Sequence, residues 1–288
     1  MKDYLVRAVD QEGFFRVCAL ITTELAEEAR RRHDTWPVAS AALGRALTAG
    51  LLLSSNLKGN DLVTLRINGN GPLGSVLVNA TATGEVRGYV KNPHVDLPPS
   101  KAGKIPVGAG VGRGILHVTK DLGLKEPFTG SVELVSGEIG EDVANYLLTS
   151  EQTPSAVSLG VLVDRDARVQ ASGGLLVQLL PGAEEKVLTH LERCLLALPP
   201  ISSLVNQGLT PEEIIAQAVD GLPIRYLEQN PVCFSCRCSK ERTKDIIAAL
   251  GAKDLSALLR ERGKVEVRCH FCSETYIFLA PDLEDILL

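Results

Sequence analysis

Five of the seven cysteines in this chain crowd its last quarter, at Cys233, Cys236, Cys238, Cys269 and Cys272. Cys18 and Cys194 stand alone. A secreted disulfide framework would scatter its thiols and follow a signal peptide, whereas a tight cluster points to metal binding or redox chemistry. Zinc takes four soft ligands in a tetrahedron, and two short-spaced groups of thiols on separate turns supply them. Cys269-x-x-Cys272 is one such group, and thirty residues separate it from Cys238. For the other group, spacing alone favours Cys233 with Cys236 over Cys236 with Cys238. His270 lies between two candidate ligands, but Val265, Val267, Cys269 and Phe271 alternate with Glu266, Arg268 and His270. That alternation predicts a strand entering a knuckle, with Tyr276 to Leu279 as its return, and it turns His270 to solvent. Between the two groups, Glu241 to Leu259 carries Ile246, Ile247, Leu250, Leu255, Leu258 and Leu259, which predicts helices folded over the site.

The rest of the chain reads as a larger domain. Thr23 to Arg32 and Pro37 to Ser54 read as helices. The first has Glu24, Glu27 and Glu28 early and Arg30, Arg31 and Arg32 late, an order that suits the helix dipole. Leu62 to Ile67, Ser75 to Val78 and Val86 to Val90 read as strands, punctuated by Asn68-Gly69-Asn70-Gly71 and Thr83-Gly84, which makes a meander. Further strands are expected at Gly114 to Val118, Thr129 to Val135, Ser158 to Val163 and Leu175 to Leu180, with a helix over Gly140 to Leu148. From Pro181 the pattern turns helical: Val187, Leu188, Leu191, Leu195 and Leu198 form one stripe. Thr210-Pro211-Glu212-Glu213 is a helix start, with a Thr cap, Pro in the first turn and Glu at the third position. This stretch is too short to own a core, so its apolar faces must dock elsewhere. The expected fold class is α+β, with an antiparallel-sheet N-terminal domain and packed helices over 1–180. A helical linker over 181–232 and a small C-terminal zinc-binding, redox-sensing domain over 233–288 complete it.

Two glycine-rich stretches invite other readings. Gly69-x-Gly71-x-x-Gly74 matches the dinucleotide fingerprint by letter, but it sits between two strands, and the fingerprint needs a following helix to face the pyrophosphate. The downstream motifs that a kinase glycine loop would require are missing. A hairpin turn is the better reading. Gly108 to Gly114 reads as a flexible loop or bent strand. The net charge of −5 has the wrong sign for a nucleic-acid binder. No apolar h-region follows Met1 to Tyr4, and the most apolar stretch, Ala46 to Leu53, is short of a membrane span. The expectation is a cytoplasmic protein with reduced thiols and neither nucleic-acid nor membrane partners.

The run Phe234-Ser-Cys236-Arg-Cys238-Ser-Lys-Glu-Arg242, followed by Cys269-His-Phe-Cys272, resembles the signature of the heat-shock protein 33 family, the redox-regulated holdase chaperones. Gly71-Pro-Leu-Gly74, Ser150-Glu-Gln152 and Gly173-Gly-Leu-Leu-Val-Gln178 are similar to the same family, so the resemblance runs nearly end to end. It implies that Cys236, Cys238, Cys269 and Cys272 are both the ligands of one structural and regulatory zinc ion and the redox-active residues. Cys233 falls outside the family pattern. The resemblance also implies ATP-independent capture of unfolding client proteins under oxidative stress, with zinc release on oxidation and a homodimer in the oxidised form.

Chemistry agrees with that implication. A four-thiolate site is closed and leaves no position for a catalytic water, so the chain reads as no enzyme. Thiolates are the oxidisable form of cysteine. Oxidation is expected to pair the near neighbours, Cys236 with Cys238 and Cys269 with Cys272, which are adjacent in sequence and share the metal. The alternative is a zinc-ribbon nucleic-acid module, for which Arg237, Lys240, Arg242 and Lys244 make a small basic patch; salt-sensitive binding to DNA or RNA would reveal it. A thiol-disulfide oxidoreductase is disfavoured, because no Cys-x-x-Cys opens a helix within a βαβ unit.

Overall fold

A computed structural model describes residues 2–100 and 103–287 of the chain. It divides into two compact units between Ser235 and Cys236. The larger begins with β1 (Tyr4–Asp10), β2 (Phe15–Ile21), α1 (Thr23–His33) and α2 (Pro37–Ser54). Then follow β3 (Leu62–Gly69), β4 (Ser75–Thr81), β5 (Glu85–Val90), the short α3 (Val107–Val111), β6 (Gly114–Asp121) and β7 (Phe128–Glu133). Next come α4 (Gly140–Thr149), β8 (Ser155–Val163), β9 (Val169–Leu179), α5 (Glu185–Ala197), α6 (Ile201–Asn206) and α7 (Pro211–Val219). The unit closes with β10 (Ile224–Pro231) and β11 (Cys233–Phe234).

Two sheets form. One is five-stranded and antiparallel, in the order β10-β1-β2-β9-β8; the other has the order β11-β5-β4-β3-β6-β7 and is antiparallel except where β11 joins β5. Helix α2 packs against strands of both sheets. All of its residues except Pro37 and Arg45 are buried, as a helix that is apolar all round requires. By length and composition α2 is apolar enough to cross a membrane. Its burial is that of a core helix, in which small residues such as Ala39, Ala41 and Ala42 extend the apolar surface beyond Ala46 to Leu53 toward the N-terminal end. The cluster around α2 includes Leu43, Leu47, Leu65, Val78 and Val118. On the opposite face of the five-stranded sheet, a second cluster joins Phe15, Val17 and Leu175 to Leu191, Leu204, Ile214 and Ile215 of the helices α5 to α7. The apolar stripe from Val187 onward therefore docks on this sheet. Thr210 caps α7 in a complete capping box with Glu213.

The glycine motif forms the turn between β3 and β4. The Gly71 and Leu73 amides donate to the Val111 and Gly110 carbonyl oxygens at 2.8 and 3.0 Å. A Cβ at Gly69 would lie 1.9 Å from the Val111 oxygen, so close backbone approach explains the glycines. The stretch read as a loop or bent strand, Gly108 to Gly114, instead holds most of α3 and the first residue of β6. Its missing side chains let that backbone seat against the turn.

The smaller unit holds α8 (Lys240–Ala248), α9 (Ala252–Arg262), β12 (Val265–Arg268) and β13 (Thr275–Phe278). The two strands pair antiparallel, Val265 opposite Phe278. Ile247, Leu255, Val265, Phe278 and Leu283 form its buried apolar cluster. Lys240 is 2.9 Å from Asp282 and lies over the Phe278 ring.

Candidate metal centre

The four cysteines come from two loops that local bonding holds in shape. Cys236 and Cys238 lie in the extended segment before α8. Ser239 caps that helix by accepting from the Arg242 amide, and Arg242 Nη1 donates to the Arg237 carbonyl between the two cysteines at 2.9 Å. Cys269 and Cys272 sit on the knuckle between β12 and β13. There the Cys269 amide donates to the Glu274 carbonyl and the Ser273 amide to the Cys269 carbonyl. Ser273 takes a left-handed conformation, φ 59°, which folds the knuckle back.

The ligand atoms of Cys236, Cys238, Cys269 and Cys272 all lie within 4.8 Å of one another. Cys236 Sγ is 3.8 Å from Cys269 Sγ, and Cys238 Sγ is 3.3 Å from Cys272 Sγ. Disulfide sulfurs would be ~2.05 Å apart, so these are separate thiols. Four sulfurs on a tetrahedron around a zinc ion, each ~2.3 Å from it, would stand roughly 3.8 Å apart. The donor set and its spacing therefore fit a zinc site. Burial pushes the Cys272 and Cys269 thiols up, and without a cation four clustered thiolates would repel one another. A divalent cation reverses that balance, because its charge favours the thiolate.

Cys233 is not in the group. It lies on β11, opposite Glu85, and is exposed. Cys18 and Cys194 are buried elsewhere in the sheet unit. His270 is exposed and outside the four-sulfur group. The basic patch is partly spent inside the unit, on Asp282 by Lys240 and on the Arg237 carbonyl by Arg242. Sequence reasoning missed Tyr276, whose hydroxyl donates to Cys238 Sγ at 3.2 Å. Period two was the available signal: on β13, Tyr276 and Phe278 face inward between exposed Thr275 and Ile277.

Comparison with known proteins gives one consistent answer. The model of the Hsp33 protein family matches residues 3–279. The 33 kDa chaperonin of Desulforamulus reducens is 58% identical over 287 residues, covering 100% of this chain and 98% of that protein. The 33 kDa chaperonin of Geobacillus kaustophilus is 48% identical, covering 99% and 98%. The crystal structure of the 33 kDa chaperonin of Thermotoga maritima superimposes with a TM-score of 0.93 at 37% identity, covering 100% of this chain and 98% of that one.

Proposed function

The chain belongs to the Hsp33 family, and from that premise we propose that it is a redox-regulated, ATP-independent holdase whose switch is the four-cysteine site. The observation that carries the reading is the convergence of four sulfurs within 4.8 Å in a unit with so small an apolar cluster. Cys236, Cys238, Cys269 and Cys272 hold the metal as thiolates. A bound zinc ion supplies the folding free energy that the small unit lacks, about 10–16 kcal/mol in comparable modules at neutral pH.

Oxidation removes the ligands. A thiolate attacks peroxide, forms a sulfenic acid and releases hydroxide; a second thiolate attacks that sulfur, forms the disulfide and releases a second hydroxide. Two electrons pass from the sulfur pair to the peroxide. Near-neighbour pairing, Cys236 with Cys238 and Cys269 with Cys272, is the expected outcome. Peptide mapping distinguishes it from the cross pairs that lie 3.8 and 3.3 Å apart in the reduced fold. The redox domain, 233–288, then loses its fold, and the linker, 181–232, is the part that moves.

Within the linker, the holding forces are uneven. Helix α7 buries Ile214, Ile215 and Ala218 completely. Strand β10 is an edge strand, mostly exposed, and among the described residues it pairs with β1 alone. Edge strands with few buried side chains open at low cost, so β10 gives way before α7. Its release bares the edge of β1 and the covered sides of the already exposed Tyr226 and Leu227, a surface suited to unfolding clients. The deciding experiment measures zinc content and suppression of client aggregation on one sample, before and after peroxide. Loss of zinc together with gained holdase activity is expected; activity that leaves zinc bound would sink the switch.

A further inference from the structure

The sheet unit holds a charge that its described residues do not neutralise. Arg7 on β1 and Arg16 on β2 are diagonal neighbours, because the register sets Arg7 opposite Cys18 and Arg16 opposite Val9. Such diagonal pairs are ~7–8 Å apart, within reach of long side chains. Both arginines line a cavity of about 130 Å³, with Cys18, Asn56, Gln178 and Leu227 also in its wall.

Arg16 is half-buried, and its one side-chain hydrogen bond among the described residues runs from Nε to Gln178 Oε1, at 2.9 Å. Gln178 is itself only 3% exposed. Its Nε2 donates to Ser155 Oγ at 3.2 Å, and the Ser155 hydroxyl donates to the Thr153 carbonyl at 2.9 Å. This buried relay holds the guanidinium by its Nε edge. It leaves the Nη groups without a protein acceptor among the described residues, on a side chain that lines the cavity.

No carboxylate pairs directly with Arg16 among the described residues. Arg7 reaches Glu228 at 3.3 Å, a carboxylate that is mostly exposed. Glu151 is felt by Arg16 but is bonded to Lys120. Burial and the charge of Arg7 both lower the pKa of Arg16. Burial pushes the Cys18 thiol up to about 12, so the cavity wall stays neutral there. The Nη groups of Arg16 are not enclosed, so an anion that enters the cavity can reach them. A carboxylate is satisfied by one guanidinium fork, whereas a tetrahedral oxyanion has acceptors for two.

We propose that the Arg7–Arg16 cavity is a binding site for a small phosphate-like oxyanion. Because Leu227 lies on β10 and lines the cavity, the site is complete only while β10 stays on β1, and occupancy favours the docked linker by mass action. The site would be present whatever the role of the cysteines.

The test uses the full reduced chain and inorganic phosphate. Isothermal titration and thermal unfolding are run in sodium phosphate, with sodium chloride and sodium acetate at equal ionic strength as comparison arms. The wild-type chain should bind phosphate saturably and more tightly than acetate, with slower hydrogen exchange in β10. Phosphate also raises Tm without binding, as an excluded salt, but that rise does not saturate. Arg16→Gln should leave only this unsaturable rise. Arg16→Lys keeps the charge and loses the fork, and should weaken binding about tenfold, the loss of one charge-assisted hydrogen bond. A wild-type chain without saturable binding overturns the proposal. So does unchanged affinity in Arg16→Lys, or acetate binding as tightly as phosphate. Those readouts decide the matter even if Arg16→Gln fails to fold.

Discussion

Residues 2–235 bury two large apolar clusters, one on each face of a five-stranded sheet. Residues 236–287 gather five buried apolar side chains beside four thiols. The first unit is large enough to be held by burial, with each buried Leu, Val or Phe contributing ~1.5–3 kcal/mol. The second falls in the size range where metals or disulfides usually complete a fold. On the proposed switch its stability would rest on a few metal–sulfur bonds that one oxidant can remove, whereas the sheet unit rests on burial spread over many side chains. A chain built this way can lose one region abruptly and keep the other.

The largest effect should come from the thiols. Cys238→Ser or Cys272→Ser should release the metal and unfold residues 236–287, a loss on the order of 10 kcal/mol. Circular dichroism and hydrogen exchange should show the sheet unit still folded. Cys18→Ser, Cys194→Ser and Cys233→Ser should retain zinc. If Cys272→Ser leaves the small unit protected from exchange, burial alone suffices there and the contrast between the units fails.

Equal deletions in the two units come next. Phe278 and Leu65 are both fully buried. Phe278→Ala costs ~3–5 kcal/mol and Leu65→Ala ~2–5 kcal/mol. The first should abolish protection in the small unit unless zinc is in excess. The second should lower the Tm of the sheet unit and leave its fold intact.

Acid should push the units in opposite directions. Asp3 is buried, and burial raises its pKa from the ordinary 3.8 to about 6. The folded carboxyl therefore holds its proton more tightly than the unfolded one. Its contribution is fully present below pH ~4 and is lost as pH rises through about 6, at most roughly 3 kcal/mol. The thiolates behave the other way, since protonation at low pH weakens their hold on metal. Exchange rates resolved by region between pH 4 and 6 should show sheet-unit protection falling with pH while small-unit protection rises. Asp3→Asn should flatten only the first trend.

The smallest effect belongs to the α7 cap. Thr210→Ala removes the capping box with Glu213 and should cost ~1 kcal/mol. Limited proteolysis of the reduced chain should then cut somewhat faster near residues 209–213. A cut displaced to the cysteine loops would mean that the cap does not govern the linker.

How legible each part was follows from its environment. Helix α2 read true because Pro37 opens it and no charge but Arg45 interrupts it. Strands β1 and β2 did not stand out, because the apolar clusters cover both of their faces and blur the period of two. Strand β10 was hidden for another reason: Arg225, Glu228 and Gln229 interrupt its apolar residues, and its pairing with β1 comes from a distant part of the chain. At the metal centre, the spacing of the cysteines revealed the chemistry. It could not reveal that Cys236 Sγ comes within 3.8 Å of Cys269 Sγ and Cys238 Sγ within 3.3 Å of Cys272 Sγ, or that Tyr276 bonds to Cys238. Those follow from the knuckle, which is a product of strand pairing.

Helix α2 also bears on how the protein is made. It ends at Ser54, yet β8 and β9, which cover one of its sides, are complete only at Leu179. At ~5–20 residues per second the ribosome needs roughly ten seconds to deliver them. Throughout that interval the nascent chain carries an 18-residue apolar segment without the strands that bury it. Apolar surface left open in this way suits factors that bind nascent chains. Stalled chains ending near residue 95 should crosslink to such factors through α2, and chains extended past residue 210 should not.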